Sequence, residues 1–260
     1  MAYKTVYSLV QQQFEDVHRG LVLPMDDERQ KVLGTCGIYL RSIAEMLHTI
    51  KEVLEQGFIE SAGIVATSIW ERAITLRKIL LAPQVNAQIH TEHEKAKKTP
   101  WQIFEMVKDV TTNRSTNPDK LAAECKLFYL QYTFLSAIKH GNPHTISYLN
   151  RPGRTTNEKN IFSVRGNDCF EDEDLKLYLM LLSMDNALDA LVEFTAEFRD
   201  KAALSGVKEL RRFLNSIISH LPLEVPKILI TSPDEMGKEF WELLQEIDAT
   251  PRPTIEGNLI

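Results

Sequence analysis

The stretch from Phe58 to Leu81 reads FIESAGIVATSIWERAITLRKILL. Its apolar residues Ile64, Val65, Ile69, Trp70, Ala73, Ile74, Leu76 and Leu80 recur in steps of three and four. That is the period of an α-helix, not the alternation of a strand. They fall on more than one face, so the spacing predicts a central helix covered from several sides. Pro83 ends it, because proline lacks the N–H a continuing helix needs.

The same period extends outward in both directions. Val6, Leu9, Val10, Phe14 and Val17 form one face of a helix over residues 3–19. Asp26, Asp27 and Glu28 open a second helix, whose stripe Leu33, Ile38, Leu40, Ile43, Leu47, Ile50 and Leu54 stops at Gly57. Residues 84–98 are polar and lysine-rich and read as a loop or an exposed helical turn. Thr99-Pro100 and Asn117-Pro118 place proline at the first position of two further helices, through Val110 and about Lys139. The acidic run Glu171 to Asp174 starts a long helix through Phe198. Shorter ones are predicted from Gly206 to Ser219 and from Pro233 to Ile247. Between Asn142 and Phe170 helical periodicity is lost, and a small β-hairpin or ordered loop is expected over about 145–166. The fold class is therefore all-α: a helical bundle over 1–200, a C-terminal helical extension over 201–247 and a mobile tail over 248–260.

Composition narrows the classes. With 43% apolar and 25% charged residues, the 260-residue chain has the make-up of an ordinary globular protein. No run approaches the roughly 20 apolar residues that cross a bilayer. Three widely spaced cysteines, Cys36, Cys125 and Cys169, read as free thiols, and Met1-Ala2-Tyr3-Lys4 lacks a secretory pattern, so a cytoplasmic location is expected. A net charge of −6 argues against a broad nucleic-acid-coating surface but leaves room for a local basic patch.

The strongest candidate site is the helix end Lys139-His140-Gly141-Asn142-Pro143-His144. Tyr132, Ser136 and His140 lie four residues apart and line one helical face, with His144 four residues further on. Such a cluster can hold a general base beside a hydroxyl or phosphate, or serve only as hydrogen-bonding groups inside the bundle. Lys139, Arg151, Arg154, Lys159 and Arg165 face one acid, Glu158, across residues 139–166. That local cationic segment suits a phosphate or an RNA backbone, or pairing with the acidic run after Asp168. Metal and cofactor sites are not predicted. Glu45-x-x-His48 occurs once where a di-iron bundle uses the unit twice, and His90 with His93 does not complete a zinc set. No phosphate loop or dinucleotide fingerprint is present.

Ser68-Ile69-Trp70-Glu71-Arg72 with Leu76 and Ile79, then Leu135-Ser136 with His140, resembles a bacterial domain-of-unknown-function family, number 5677, over about Leu33 to Phe198. Members pair a helix bearing Arg-Ser-x-x-Glu with a later helix ending Ser-x-x-x-His; here Thr67 stands in the place of the arginine. The resemblance implies a helical bundle with a pocket of Glu71, Arg72, Ser136 and His140, rimmed by Lys139 and His144. Lys139 to His144 is also similar to the motif of the HEPN bundles, many of which are metal-independent ribonucleases of toxin–antitoxin and phage-defence systems, with lysine replacing arginine. Lysine offers a point charge where arginine offers a planar fork.

Three functions are thus expected in competition. The first is a binding protein for a partner or an anionic ligand, RNA included, using Glu71, Arg72, Tyr132, Ser136, Arg151 and Arg154. The second is a ribonuclease with His144 or His140 as base and Lys139 on the phosphate. The third is a structural protein acting through a protein partner or as a homo-oligomer.

Overall fold

A computed structural model of the chain describes residues 2–113, 118–141 and 171–218. Among them there are eight helices and no strand. They are α1 (Ala2–Arg19), α2 (Asp27–Glu55), α3 (Ile59–Leu81), α4 (Pro83–Lys95), α5 (Ile103–Thr112), α6 (Pro118–Lys139), α7 (Glu171–Phe198) and α8 (Lys201–Ile218). The protein is an all-α helical bundle. The segment 145–166, the helix expected from Pro233 to Ile247 and the tail 248–260 lie outside the described residues.

As its patterning predicts, α3 is central. It packs against α2, α4, α5, α6 and α7, and Ile69, Trp70, Ile74, Leu76 and Ile79 are fully buried. The second core helix is α7, whose Leu179, Met184, Leu188, Leu191 and Phe194 are equally buried. It is flanked by α1, α2 and α8. Burying side chains of this size contributes roughly 1.5–3 kcal/mol each before chain entropy is charged against it.

α3 and α6 approach closely because the facing residues of α3 are small. A Cβ built on Gly63 would lie 2.6 Å from Cγ2 of Ile138. One turn on, the buried Thr67 hydroxyl lies 2.9 Å from the Leu135 carbonyl of α6 and 2.8 Å from that of Gly63. The position where the family resemblance places an arginine is therefore a fully buried helix–helix contact.

Three boundaries differ from the sequence reading. Residues 83–95 form a helix of 13 residues, longer than the loop or exposed helical turn expected, and Pro83 is its first residue. Its inward side chains include Asn86, Ala87 and His90, too small or too polar to create a hydrophobic stripe. α5 begins at Ile103 rather than at Pro100, with Gln102 as N-cap and the Glu105 carboxylate accepting the Gln102 N–H at 3.4 Å. α8 begins at Lys201, five residues before Gly206, because the Asp200 side chain accepts the Ala203 N–H at 2.8 Å. This helix lays Val207, Leu210 and Leu214 against α1 and α7.

α4 ends in a turn with a backbone cost. The Lys97 N–H bonds to the Glu94 carbonyl and that of Lys98 to the His93 carbonyl, with Lys97 at φ +53°. This left-handed helix stop usually carries glycine. Lys97→Gly should relieve the side-chain crowding and raise stability by about 0.5–1 kcal/mol, a melting-temperature gain of roughly 2 °C by calorimetry. A lower melting temperature would contradict this account of the turn.

Candidate functional site

At the C-terminal end of α6 the predicted residues separate into two groups. Lys139 Nζ donates to both carboxylate oxygens of Glu71, at 2.8 and 2.7 Å, both side chains half-buried. Arg72, although adjacent in sequence, donates instead to the Ser68 carbonyl of its own helix at 3.2 Å. The pocket implied by the resemblance thus keeps Glu71 and loses Arg72, and the partner of Glu71 is Lys139 rather than His140. Tyr132 lies against Trp70, ring centroids 5.0 Å apart, and Ser136 is half-buried. His140 is exposed, and its N–H continues the helix to the Ser136 carbonyl at 2.9 Å. The stop is Gly141, at φ +65°, where a side chain would be strained. His144, Arg151 and Arg154 lie outside the described residues.

A half-exposed ion pair of this kind contributes little. Glu71→Gln should lower stability by less than about 1 kcal/mol, a melting-temperature loss of no more than about 3 °C. A loss several times larger in thermal unfolding would mean that Glu71 carries buried structure the ion pair does not account for.

A different polar constellation lies between α3, α5, α6, α7 and α8. Arg77 of α3 is 3% exposed and donates to Oδ2 of Asp189 on α7 at 3.0 Å. Arg211 of α8 meets the other carboxylate oxygen through its Nε. One buried carboxylate thus holds two guanidinium groups, with Arg77 also lying 5.1 Å over the Phe128 ring. The triad lines a cleft of about 560 Å³, joined by Gln131, Lys208 and the acids Glu124, Asp185 and Glu193. Each of these three acids is engaged in an interaction of its own. The Gln131 side-chain oxygen is buried without a hydrogen-bond partner. Sequence reading passed over this cleft, although a signal exists. Arg77 has Ala73, Ile74, Leu80 and Leu81 as its helical neighbours three and four residues away, and Asp189 is flanked by Leu188, Ala190 and Leu191; charges so placed persist only when paired.

A smaller cavity of about 320 Å³ opens beside α2 and α4. Tyr39 and His90 share a hydrogen bond of 2.6 Å there, with Trp101 forming another wall. Desolvation pushes the His90 pKa below its usual value and that of Tyr39 upward. A neutral imidazole accepts the phenol proton at Nε2, while its Nδ1 is buried without a hydrogen-bond partner. Because the folded pKa of His90 is depressed, the unfolded chain binds a proton first as pH falls below about 6.5. Stability present above that pH is then lost until His90 itself titrates in the native state. Glu94, His93 and Lys98 are the neighbouring charges, and His90→Gln, which cannot titrate, should show a flatter decline in denaturant midpoint between about pH 7 and 5. Parallel declines would show that His90 is not the cause.

Among the described residues no group of three or more His, Cys, Asp or Glu side chains can hold a metal ion. None of the described helices is long and apolar enough to cross a membrane. Buried Cys36 has its thiol pKa pushed up to about 12 by desolvation first and Glu197 second, which makes it a packing residue rather than a nucleophile. No family model, curated protein or solved structure matches this chain.

Proposed function

We propose that the protein binds a small anionic ligand, a phosphate or carboxylate compound, in the α3–α6–α7–α8 cleft. The observation that carries this reading is the Arg77–Asp189–Arg211 triad, which sets two guanidinium groups at one wall of a cleft whose whole lining counts three bases and four acids. Asp189 pairs with Arg211 through Nε, and Arg211 itself lines the cleft, where a guanidinium can grip an oxyanion through two hydrogen bonds. Lys208, one turn earlier on α8, adds a third cation on the same lining. The volume falls within the roughly 300–1,000 Å³ usual for small-molecule sites. The helix end supports this less well, because Lys139 is already held by Glu71.

Isothermal titration with inorganic phosphate tests the proposal. Saturable binding is expected for the wild type and is expected to vanish in Lys208→Ala/Arg211→Ala. Absence of saturable heat in the wild type, or its persistence in the double variant, would refute it. A single-stranded RNA oligonucleotide serves as a second probe. Cleavage of it by the wild type, abolished in His144→Ala, would favour the ribonuclease reading instead. Tight, steeply salt-dependent binding without cleavage would favour a backbone reader.

A further inference from the structure

The charges of the α3–α6–α7–α8 cleft are sorted by helix. α8 brings only bases to the lining, Lys208 and Arg211, while α6 and α7 bring only acids, Glu124, Asp185, Asp189 and Glu193. The three acids of α7 stand four residues apart and so form a row along one face of that helix. Asp189, the middle one, carries Arg77 and Arg211. A further acid therefore stands one turn to each side of the carboxylate that holds the guanidinium pair. Glu124, Asp185 and Glu193 each have an interaction of their own, but a carboxylate offers about four acceptor positions, and one partner does not exhaust them.

This arrangement selects among oxyanions. With three bases and four acids, the lining has one acid in excess. A carboxylate alone deepens that excess, and a doubly charged phosphate deepens it further. A ligand that brings its own cation leaves it unchanged. A second observation points to the same cation. The side-chain oxygen of Gln131, on α6, is buried without a hydrogen-bond partner, and Gln131 lines the cleft. An amide oxygen only accepts, so a donor on the ligand is what completes it, and an ammonium group has three. Phe128, Val192 and Ala196 give the same lining an apolar portion.

We propose that the ligand is an amino acid with an apolar side chain, its carboxylate on Arg211 and Lys208 and its ammonium group among the α7 acids and the Gln131 oxygen. This rests on the cleft being an oxyanion site and adds to it the requirement for an ammonium group. Isothermal titration of the full chain compares three probes: L-phenylalanine, hydrocinnamate, which lacks the ammonium group, and phenethylamine, which lacks the carboxylate. L-phenylalanine is expected to bind at least about tenfold more tightly than either, the worth of one charge-assisted contact. Asp185→Asn/Glu193→Gln should weaken L-phenylalanine by a similar factor yet leave hydrocinnamate unchanged or tighter, because fewer acids then oppose a lone anion. Gln131→Met should weaken L-phenylalanine and spare hydrocinnamate. Damage to the fold would weaken both probes alike, and the wild-type comparison needs no variant. Phosphate binding with L-phenylalanine no tighter than hydrocinnamate would overturn the amino-acid assignment and leave the oxyanion site standing. So would a parallel loss of both probes in a folded Asp185→Asn/Glu193→Gln variant. If phosphate, hydrocinnamate and L-phenylalanine all fail to bind, or phenethylamine binds most tightly, the oxyanion site falls with it.

Discussion

Replacing Asp189 with alanine should unfold the bundle more readily than any change at the helix end. Arg77, whose side chain is 3% exposed, then loses the carboxylate to which it donates at 3.0 Å. Removing one partner of a buried pair costs about 3–5 kcal/mol, because the remaining charge loses its solvation without compensation. For a chain of this length that is a melting-temperature drop on the order of 10 °C. Arg211 is 29% exposed and can turn to water, so it adds little to the loss. Removing the charges together separates this cause from simple loss of packing. Arg77→Met/Asp189→Leu should recover most of the stability, since well-packed apolar pairs replace buried ion pairs at little cost. Calorimetry showing that Asp189→Ala loses less than about 1 kcal/mol, or that the double variant is worse than the single, would contradict the triad's role.

The second large effect is expected at Gly63. A methyl group there would sit 2.6 Å from Ile138 Cγ2 and 2.8 Å from its Cδ1, and the branched Ile138 cannot swing clear without moving α6. Overpacking of this kind costs roughly 1–3 kcal/mol, partly offset by up to about 1 kcal/mol that alanine gains over glycine in a helix. Gly63→Ala should therefore be destabilised by roughly 1–2 kcal/mol in urea unfolding, against the propensity rule. Gly63→Ala/Ile138→Ala should remove the clash and leave only the cavity of the lost isoleucine. A single variant more stable than the wild type would show that α3 and α6 do not pack at this distance.

The fold was legible where burial has a period. Phe58–Leu81, the stripe of α2, Pro118 as helix start and the run from Glu171 to Phe198 appear as helices where read, although Ile38 of the α2 stripe and Ile64 of α3 are exposed at 72% and 40%. It was hidden where the buried face is polar or small. α4 presents Asn86 and His90 inward, and their satisfaction by the Lys78 carbonyl and Tyr39 hydroxyl depends on residues far away in sequence. Pro83 was readable as an end, but proline equally opens a helix, and here it does both. The site was legible only in part. Glu71 and Lys139 were named, and they meet; Arg72 was named for its place beside Glu71, but neighbouring helical residues point in different directions. Arg77, Asp189 and Arg211 come from three helices and acquire meaning only when the bundle closes. No local pattern encodes that meeting.

Whether an anion binds in the cleft or at the helix end is decided by one comparison. Phosphate affinity is measured for Arg211→Gln and for Lys139→Gln, each keeping an amide where a cation stood. Arg211→Gln should bind at least about tenfold more weakly, the loss of one charge-assisted contact, while Lys139→Gln should match the wild type. Weakened binding in Lys139→Gln with Arg211→Gln unchanged would return the site to the end of α6.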